Sequence, residues 1–465
     1  MLCMIIFTCL TFAVHLPLHS GMVLNFSASF DEYRESQNDT SSSSWVQRGD
    51  STLVGISDFE DFGASACLSG NGLVLAVGAI YANDEVAGLD SGSVQVYDFV
   101  DGISYKPRGP VIHGAASGDT FGWAVSLSNN GDILAVGAPM DGYVKIYKYD
   151  GEKYNEVINL SEGGLFGYSI SLSSDGNMLA IGSPEVNYRG NVRVYTIDAS
   201  AGTAPMVGIV YGNSNFTTSE LGYSVSVSDD GNVLAAGDSL LSEVQVHLFD
   251  GSSYQLVCTI PGEAVSLSGD GTRFAVQNHT SAIISVFHID AARLECVQIG
   301  QSIPKTTSPL SLPGGYDPTE SLISLSNDGH VLAVANPLNT TGVQVYEEKY
   351  NAAAQLEYVP RGGAITIVNS TVVSLSDDGS VLVIGVPFLD LENGQFEDNG
   401  SILVYEWLSQ TIGQSPVSLN FIIDLNSFVI LVATSGAIIL FPIARINHSV
   451  CILSCQASAP TLIVS

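Results

Sequence analysis

Seven times along the chain, a serine-bearing run enters an Asn-Gly or Asp-Gly pair and leaves it as an apolar run; the turn glycines are Gly72, Gly131, Gly176, Gly231, Gly271, Gly329 and Gly379. The copies read ACLSGNGLVLAVGA, AVSLSNNGDILAVGAP, SISLSSDGNMLAIGSP, SVSVSDDGNVLAAGD, AVSLSGDGTRFAVQN, LISLSNDGHVLAVANP and VVSLSDDGSVLVIGVP. In the third, Tyr168 to Ser173 alternates apolar and serine residues, the period of a strand with one covered face. Asp175-Gly176 then predicts a hairpin, because the turn needs a residue that tolerates positive φ. Met178 to Ile181 is apolar without alternation, which predicts a strand covered on both faces. Gly182, Ser183 and Pro184 end that run, and Asn191 to Tyr195, NVRVY, reads as a third strand. A fourth follows another turn, as where Tyr149-Asp150-Gly151 leads into YNEVIN.

A four-stranded antiparallel meander is too thin to bury both of its faces alone, so each unit must stack on copies of itself. Third strands recur at matching distances, as SVQVYDF, YVKIYKY, NVRVYTI, EVQVHLF, AIISVFHI, GVQVYEE and SILVYEW. The predicted fold is all-β, a single β-propeller in which such sheets close radially about an axis. Asn420 to Phe441, NFIIDLNSFVILVATSGAIILF, lies on the same template, so eight blades are expected, with seven the alternative. Trp45 to Gly49, WVQRG, precedes the first copy with no third strand before it. It is expected to close the ring as the missing fourth strand of that eighth blade. The reading divides the chain into a signal peptide (1–24), a polar linker (25–44), the propeller (45–443) and a C-terminal tail (444–465).

Fifteen Lys and Arg stand against 47 Asp and Glu, a formal net charge of −32. Nucleic acids and anionic membrane surfaces demand a basic face, so neither is an expected partner. Cations, basic proteins or neutral glycans fit better. Met1 to Ser20, MLCMIIFTCLTFAVHLPLHS, has the apolar centre of a secretory signal and is too short to span a bilayer. Asn-x-Ser/Thr glycan acceptors occur at Asn25, Asn38, Asn159, Asn215, Asn278, Asn339, Asn369, Asn399 and Asn447, in keeping with a secreted or cell-surface glycoprotein. Among the cysteines beyond the signal, Cys67 in a strand reads as a buried free thiol, and Cys451 with Cys455 as a candidate disulfide. Cys258 and Cys296 suggest no pairing of their own. Phe428 to Ala444 carries no charge and is followed by Arg445. It admits a blade hairpin turning at Thr434 to Gly436, or a membrane span over 425–444.

Phe121-Gly122, then Gly137 to Pro139, then VKIYKY resembles the FG-GAP repeat of integrin alpha-subunit propellers and their microbial and algal relatives. Phe62-Gly63 with Gly78-Ala79, and Phe166-Gly167 with Gly182 to Pro184, are similar, and Leu221-Gly222 with Gly237-Asp238 is looser. The resemblance runs from about Trp45 to Leu408; the last three copies lack the Phe-Gly. It implies a propeller, usually of seven blades, on secreted or surface proteins that bind other molecules. Integrin-type repeats also hold calcium in a DxDxDG loop, from which hairpins such as SSDGN and SDDGS depart.

Asp175, Asp230, Asp270, Asp328 and Asp378 therefore read as hairpin chemistry. The sharper calcium candidates are the loops between second and third strands. The first copy carries Asp84, Glu85 and Asp90 there, and the seventh Asp390, Glu392, Glu397 and Asp398. Calcium takes six to eight oxygens, which close carboxylates and loop carbonyls supply. Loops between copies emerge on the same face and add Asp58, Glu60, Asp61, Asp119, Glu162 and Glu220. No GxSxG, HExxH or GxxxxGK[ST] occurs, and the histidines are scattered. The expected function is non-catalytic recognition or adhesion, toward protein or glycan, through an acidic loop-rich face. The alternative, an extracellular glycan-active or redox enzyme, requires paired acids converging at the central funnel.

Overall fold

The computed structural model describes residues 43–49, 52–55, 60–213, 218–305, 322–336, 342–367, 370–387 and 399–408, with strands at 24–26, 420–424, 429–434 and 437–442. The chain falls into two compact units, 42–409 and a second made of 1–41 with 410–465.

The larger unit is a seven-bladed β-propeller, all-β, with a single short 3-10 turn at Val186–Tyr188 and no α-helix among the described residues. The first blade consists of Phe62–Leu68, Val74–Ala79, Ser93–Val100 and Ser104–Pro107, paired antiparallel in that order. The next five repeat the plan, and the seventh consists of Val372–Leu375, Val381–Val386, Ser401–Leu408 and Ser44–Gln47. The N-terminal segment thus closes the ring, as Trp45 pairs with Trp407 and Gln47 with Tyr405.

The expected eighth blade is not part of that ring. Asn420–Asp424, Val429–Thr434 and Ala437–Pro442 form a separate antiparallel sheet whose fourth strand is Leu24–Phe26. The apolar C-terminal run is therefore a hairpin of that separate sheet, and the last strand of the ring ends at Leu408 instead of near 443. The physical reason is packing between blades. Trp45 to Gln47 completes the seventh sheet, and that blade packs face to face on the first, with Val381, Val383 and Ile402 against Phe62, Leu75 and Val77, so the ring closes at seven. No helix among the described residues is long and apolar enough to cross a membrane.

Each junction between consecutive blades holds its own apolar cluster. Second strands serve two of them. Leu134 and Val136 face the first blade while Ala135 faces the third, all fully buried. That is why these strands show no alternation.

Hydroxyls lace the inner strands together around the axis. The Ser126 hydroxyl accepts the Leu172 N–H at 3.0 Å, Ser171 that of Val227 at 3.1 Å, Ser226 that of Leu267 at 3.0 Å, Ser266 that of Leu325 at 2.9 Å, Ser324 that of Leu375 at 3.0 Å and Ser374 that of Leu68 at 3.2 Å. Cys67 takes the serine's place in the first blade, with its sulfur toward the Leu127 N–H. The alternating serine of the repeat is thus the hydrogen-bond relay between blades. Below it the backbone does the same, from Gly70 N–H to Asn129 O at 3.0 Å round to Asp377 N–H on Gly70 O at 2.8 Å.

Every turn glycine has positive φ, from 63° to 74°. The hairpin is wider than a two-residue turn: the Gly176 N–H bonds Ser173 O, and the Ser173 N–H bonds Met178 O. The preceding aspartate caps it. Asp175 Oδ1 accepts the Ser173 hydroxyl at 2.7 Å and the Asn177 N–H at 2.9 Å. Burial opposes its charge, yet these donors hold it below the usual carboxylate range. Asp230, Asp270, Asp328 and Asp378 make the same bonds, so these carboxylates serve the turn.

Candidate functional site

The loop-bearing face is built where Phe-Gly meets Gly-Ala-Pro. Gly63, Gly122, Gly167 and Gly222 adopt φ between 90° and 99°, outside the range comfortable for a side chain. In the first and fourth blades the ladder slips here, from Phe62 to Ser65 and from Leu221 to Ser224. Such a bulge re-aims the extra residue. The close packing is between blades: a Cβ on Gly137 would meet Gly167 O at 2.2 Å, and one on Gly182 would meet Gly222 O at 2.0 Å. Phe121, Phe166 and Leu221 are fully buried beside these contacts.

In blades two to four the residue after the glycine is Trp123, Tyr168 and Tyr223, an arc with ring centroids 5.3 Å and 5.6 Å apart, in which Trp123 and Tyr168 are half-buried and Tyr223 is buried. A cavity of about 80 Å³ opens against it, lined by Ser65, Ala66, Trp123, Val125, Ser169 and Ser224 among others. Sequence reasoning missed the arc. Its signal was the column following Phe/Leu-Gly, which reads Ala64, Trp123, Tyr168, Tyr223. In the fifth blade Gln277 replaces the second glycine, and the Glu263 N–H bonds Gln277 O directly. Lys305 Nζ donates to Gln277 Oε1 at 2.9 Å, and burial lowers the Lys305 amine to about 8 although Glu263 opposes the shift.

The acidic loops are less free than their sequence implies. Asp119 is buried and its Oδ2 accepts the N–H groups of Ala115 and Ala116 and the Tyr143 hydroxyl. Glu60 and Asp61 are buried too. Glu220 accepts the Ser239 hydroxyl and Glu162 lies 3.6 Å from Arg193. Asp58 lies outside the described residues. In the first-blade loop, Asp84 Oδ1 accepts the N–H groups of Val86 and Ala87, and its Oδ2 lies 3.7 Å from His113. These loop amides come first among the causes that lower the Asp84 carboxyl below its usual range. Glu85 and Asp90 are exposed, Asp90 with φ of 53°. The structure does not bring the three together as ligands: among the described residues no three His, Cys, Asp or Glu side chains are grouped to hold a metal ion. Asp390, Glu392, Glu397 and Asp398 lie outside the described residues. What the first-blade loop does present is apolar, with Val86 95% and Leu89 68% exposed at its tip.

Of the glycan acceptors, Asn159 is exposed on an outer strand, and Asn278 is half-buried with its Oδ1 accepting the Ser281 N–H at 2.8 Å. Asn399 is fully buried, which leaves no room for a glycan in the folded ring. The Asn25 side chain, Asn38, Asn215, Asn339, Asn369 and Asn447 lie outside the described residues, as do Cys451 and Cys455. Among the described residues a disulfide joins Cys258 and Cys296, on the outer strands of blades four and five. Cys67 is a free thiol on the channel wall, pushed up to about 11 by burial.

No family model and no curated protein matches the chain. Solved structures do. The β-propeller domain of Cps50 (Swd1) from Myceliophteria thermophila superposes with a TM-score of 0.50 at 12% identity, over 78% of this chain and 99% of that one. The periplasmic gluconolactonase PpgL of Pseudomonas aeruginosa gives 0.48 at 19% identity, over 70% and 97%. A Lactobacillus plantarum protein gives 0.48 at 14%, over 67% and 86%. At such identities the likeness is one of fold alone.

Proposed function

We propose that the chain is a secreted or cell-surface recognition and adhesion module, non-catalytic, that engages a protein or glycan across the loop-bearing face of the propeller. The observation that carries this is the pair of half-buried rings Trp123 and Tyr168 at the channel mouth, backed by the buried Tyr223. Aromatic rings offer large contact area at low entropic cost and are enriched where proteins bind. The exposed Val86 and Leu89 on the same face extend it, and the exposed Glu85 and Asp90 give it an acidic edge. The Cys258–Cys296 disulfide suits an oxidising compartment, as do the N-terminal apolar segment and the FG-GAP resemblance. Calcium in the first-blade loop would fall to Glu85, Asp90 and carbonyls, since Asp84 is engaged by the loop itself.

The test is capture. Full-length secreted protein is applied to a glycan array and used to pull down extracellular proteins, beside the Trp123→Ala, Tyr168→Ala double variant. The reading expects a ligand that the double variant loses while its melting temperature stays within a few degrees. Capture indifferent to the double variant, or turnover of a glycan by the purified protein, overturns it.

A further inference from the structure

The outer rim carries a second feature, on a different side of each blade from the channel mouth. Between the outer strands of blades five and six, Glu295–Pro304 and Leu356–Pro360, lies a groove of about 520 Å³. An irregularity in the fifth blade opens it. Pairing runs from Val286 with Ile299 to Ile284 with Ile303, so Ser285 alone faces Gly300, Gln301 and Ser302. Gly300 has φ of 66°, and a Cβ there would meet Glu357 Cα and Leu356 O at 2.9 Å. Glycine lets the two outer strands touch backbone to backbone at this point, and the bulge around it lifts the neighbouring side chains out of the ladder. The fifth-blade wall is anchored on its far side, where Cys296 is bonded to Cys258 of blade four.

The lining is amide-rich with a single carboxylate, Glu357, whose charge disfavours anionic sugars. Gln298, Gln301, Asn351 and Gln355 border the groove together with Tyr350, which is 73% exposed. Gln298 Nε2 is engaged by Gly300 O and the Ser302 hydroxyl, which orients its carbonyl oxygen. Asn351 Oδ1 caps the turn through the Ala353 and Gln355 N–H groups, which leaves Nδ2 as the available donor. The Gln301 and Gln355 amides make no hydrogen bond among the described residues. Carboxamides offer a donor and an acceptor side by side, the complement of adjacent hydroxyls on a pyranose ring, and an exposed tyrosine offers a face to its C–H side.

We infer that this inter-blade groove is a saccharide-binding site for a neutral pyranose oligomer, with Tyr350 as the stacking platform and Gln301, Asn351 and Gln355 as hydroxyl partners. It stands independently of the loop-face reading. The test uses the full chain and neutral probes, namely cellotriose, maltotriose and N,N′-diacetylchitobiose, with saturation-transfer NMR and calorimetric titration. At least one probe is expected to bind, with affinity falling about ten-fold or more in Tyr350→Ala and in Gln301→Ala. The Trp123→Ala, Tyr168→Ala variant is expected to bind it as wild type does, which separates this site from the channel mouth. No saturation transfer from any probe, binding unchanged in both rim variants, or a groove occupied by extended peptides in preference to every saccharide overturns the proposal.

Discussion

At the scale of single residues, the tightest constraints are on groups whose surroundings allow one chemical state. His247 is buried in the third strand of blade four, with Nε2 3.2 Å from Gln245 Oε1 and Nδ1 without a partner. Burial lowers its pKa from 6.5 to about 4. The folded protein therefore keeps the ring neutral while the unfolded chain takes up a proton as the pH falls. Stability from this residue is complete above 6.5 and is lost as the pH drops toward 4. The loss is on the order of 3 kcal/mol at the acid end. Urea midpoints measured from pH 7.5 to 4 are expected to fall more steeply for wild type than for His247→Gln; parallel curves would refute the assignment. The glycines of the repeat are a second residue-scale constraint. Cβ positions at Gly78, Gly137 and Gly182 are filled by the next blade's backbone, which the paired Phe-Gly and Gly-Ala-Pro segments hint at.

At the scale of elements, the outer strands are the least supported. Tyr154–Ser161 and its equivalents alternate buried with exposed residues and lack the double cover of the second strands. Local stability follows such cover. The Cys258–Cys296 bond ties two of these strands together across 38 residues of sequence. By loop-closure entropy it contributes roughly 3 to 4 kcal/mol. Reduction with a thiol, or Cys258→Ser with Cys296→Ser, is expected to lower the melting temperature by several degrees while far-UV circular dichroism keeps its β signature. An unchanged melting temperature would mean that the bond carries no such constraint. The inner and second strands were readable in advance because alternation and its absence report one-sided and two-sided burial. The disulfide was not, since five cysteines beyond the signal permit many pairings and blade adjacency alone selects one.

At the scale of the whole molecule, the ring is closed where the seventh blade, completed by the N-terminal strand, meets the first. Trp45 to Gln47 pairs with Ser401–Leu408, Trp45 Nε1 donates to Arg361 O at 3.1 Å, and the Arg361 guanidinium lies 4.8 Å over Trp407. Arg48 adds a bond to Gly72 O at 2.7 Å, reaching the first blade. A chain beginning after Arg48 would leave the Ser401–Leu408 edge open, a template for pairing with other chains. Such a truncation is expected to unfold at a lower temperature and to aggregate on size-exclusion chromatography, and adding a peptide of residues 43–49 in trans is expected to restore part of the loss. A truncated chain that stays monomeric with the parent melting temperature would show that closure resides elsewhere.

Repetition, turn chemistry and strand period are local properties, written in neighbouring residues, and they were enough for an all-β propeller sealed by its N-terminal strand. Blade number was not local. The hairpin at 429–442 matches the template as a hairpin, but membership of the ring depends on which sheet faces remain uncovered, and the seventh blade already packs on the first. The same holds for the site. Carboxylates that look free in a loop, such as Asp84 and Asp119, turn inward because the loop amides need acceptors. The aromatic arc exists because the positive-φ glycine before each ring turns the chain as it enters the inner strand. Pairing partners and side-chain direction arise from contacts between residues far apart in the chain, and folding settles them.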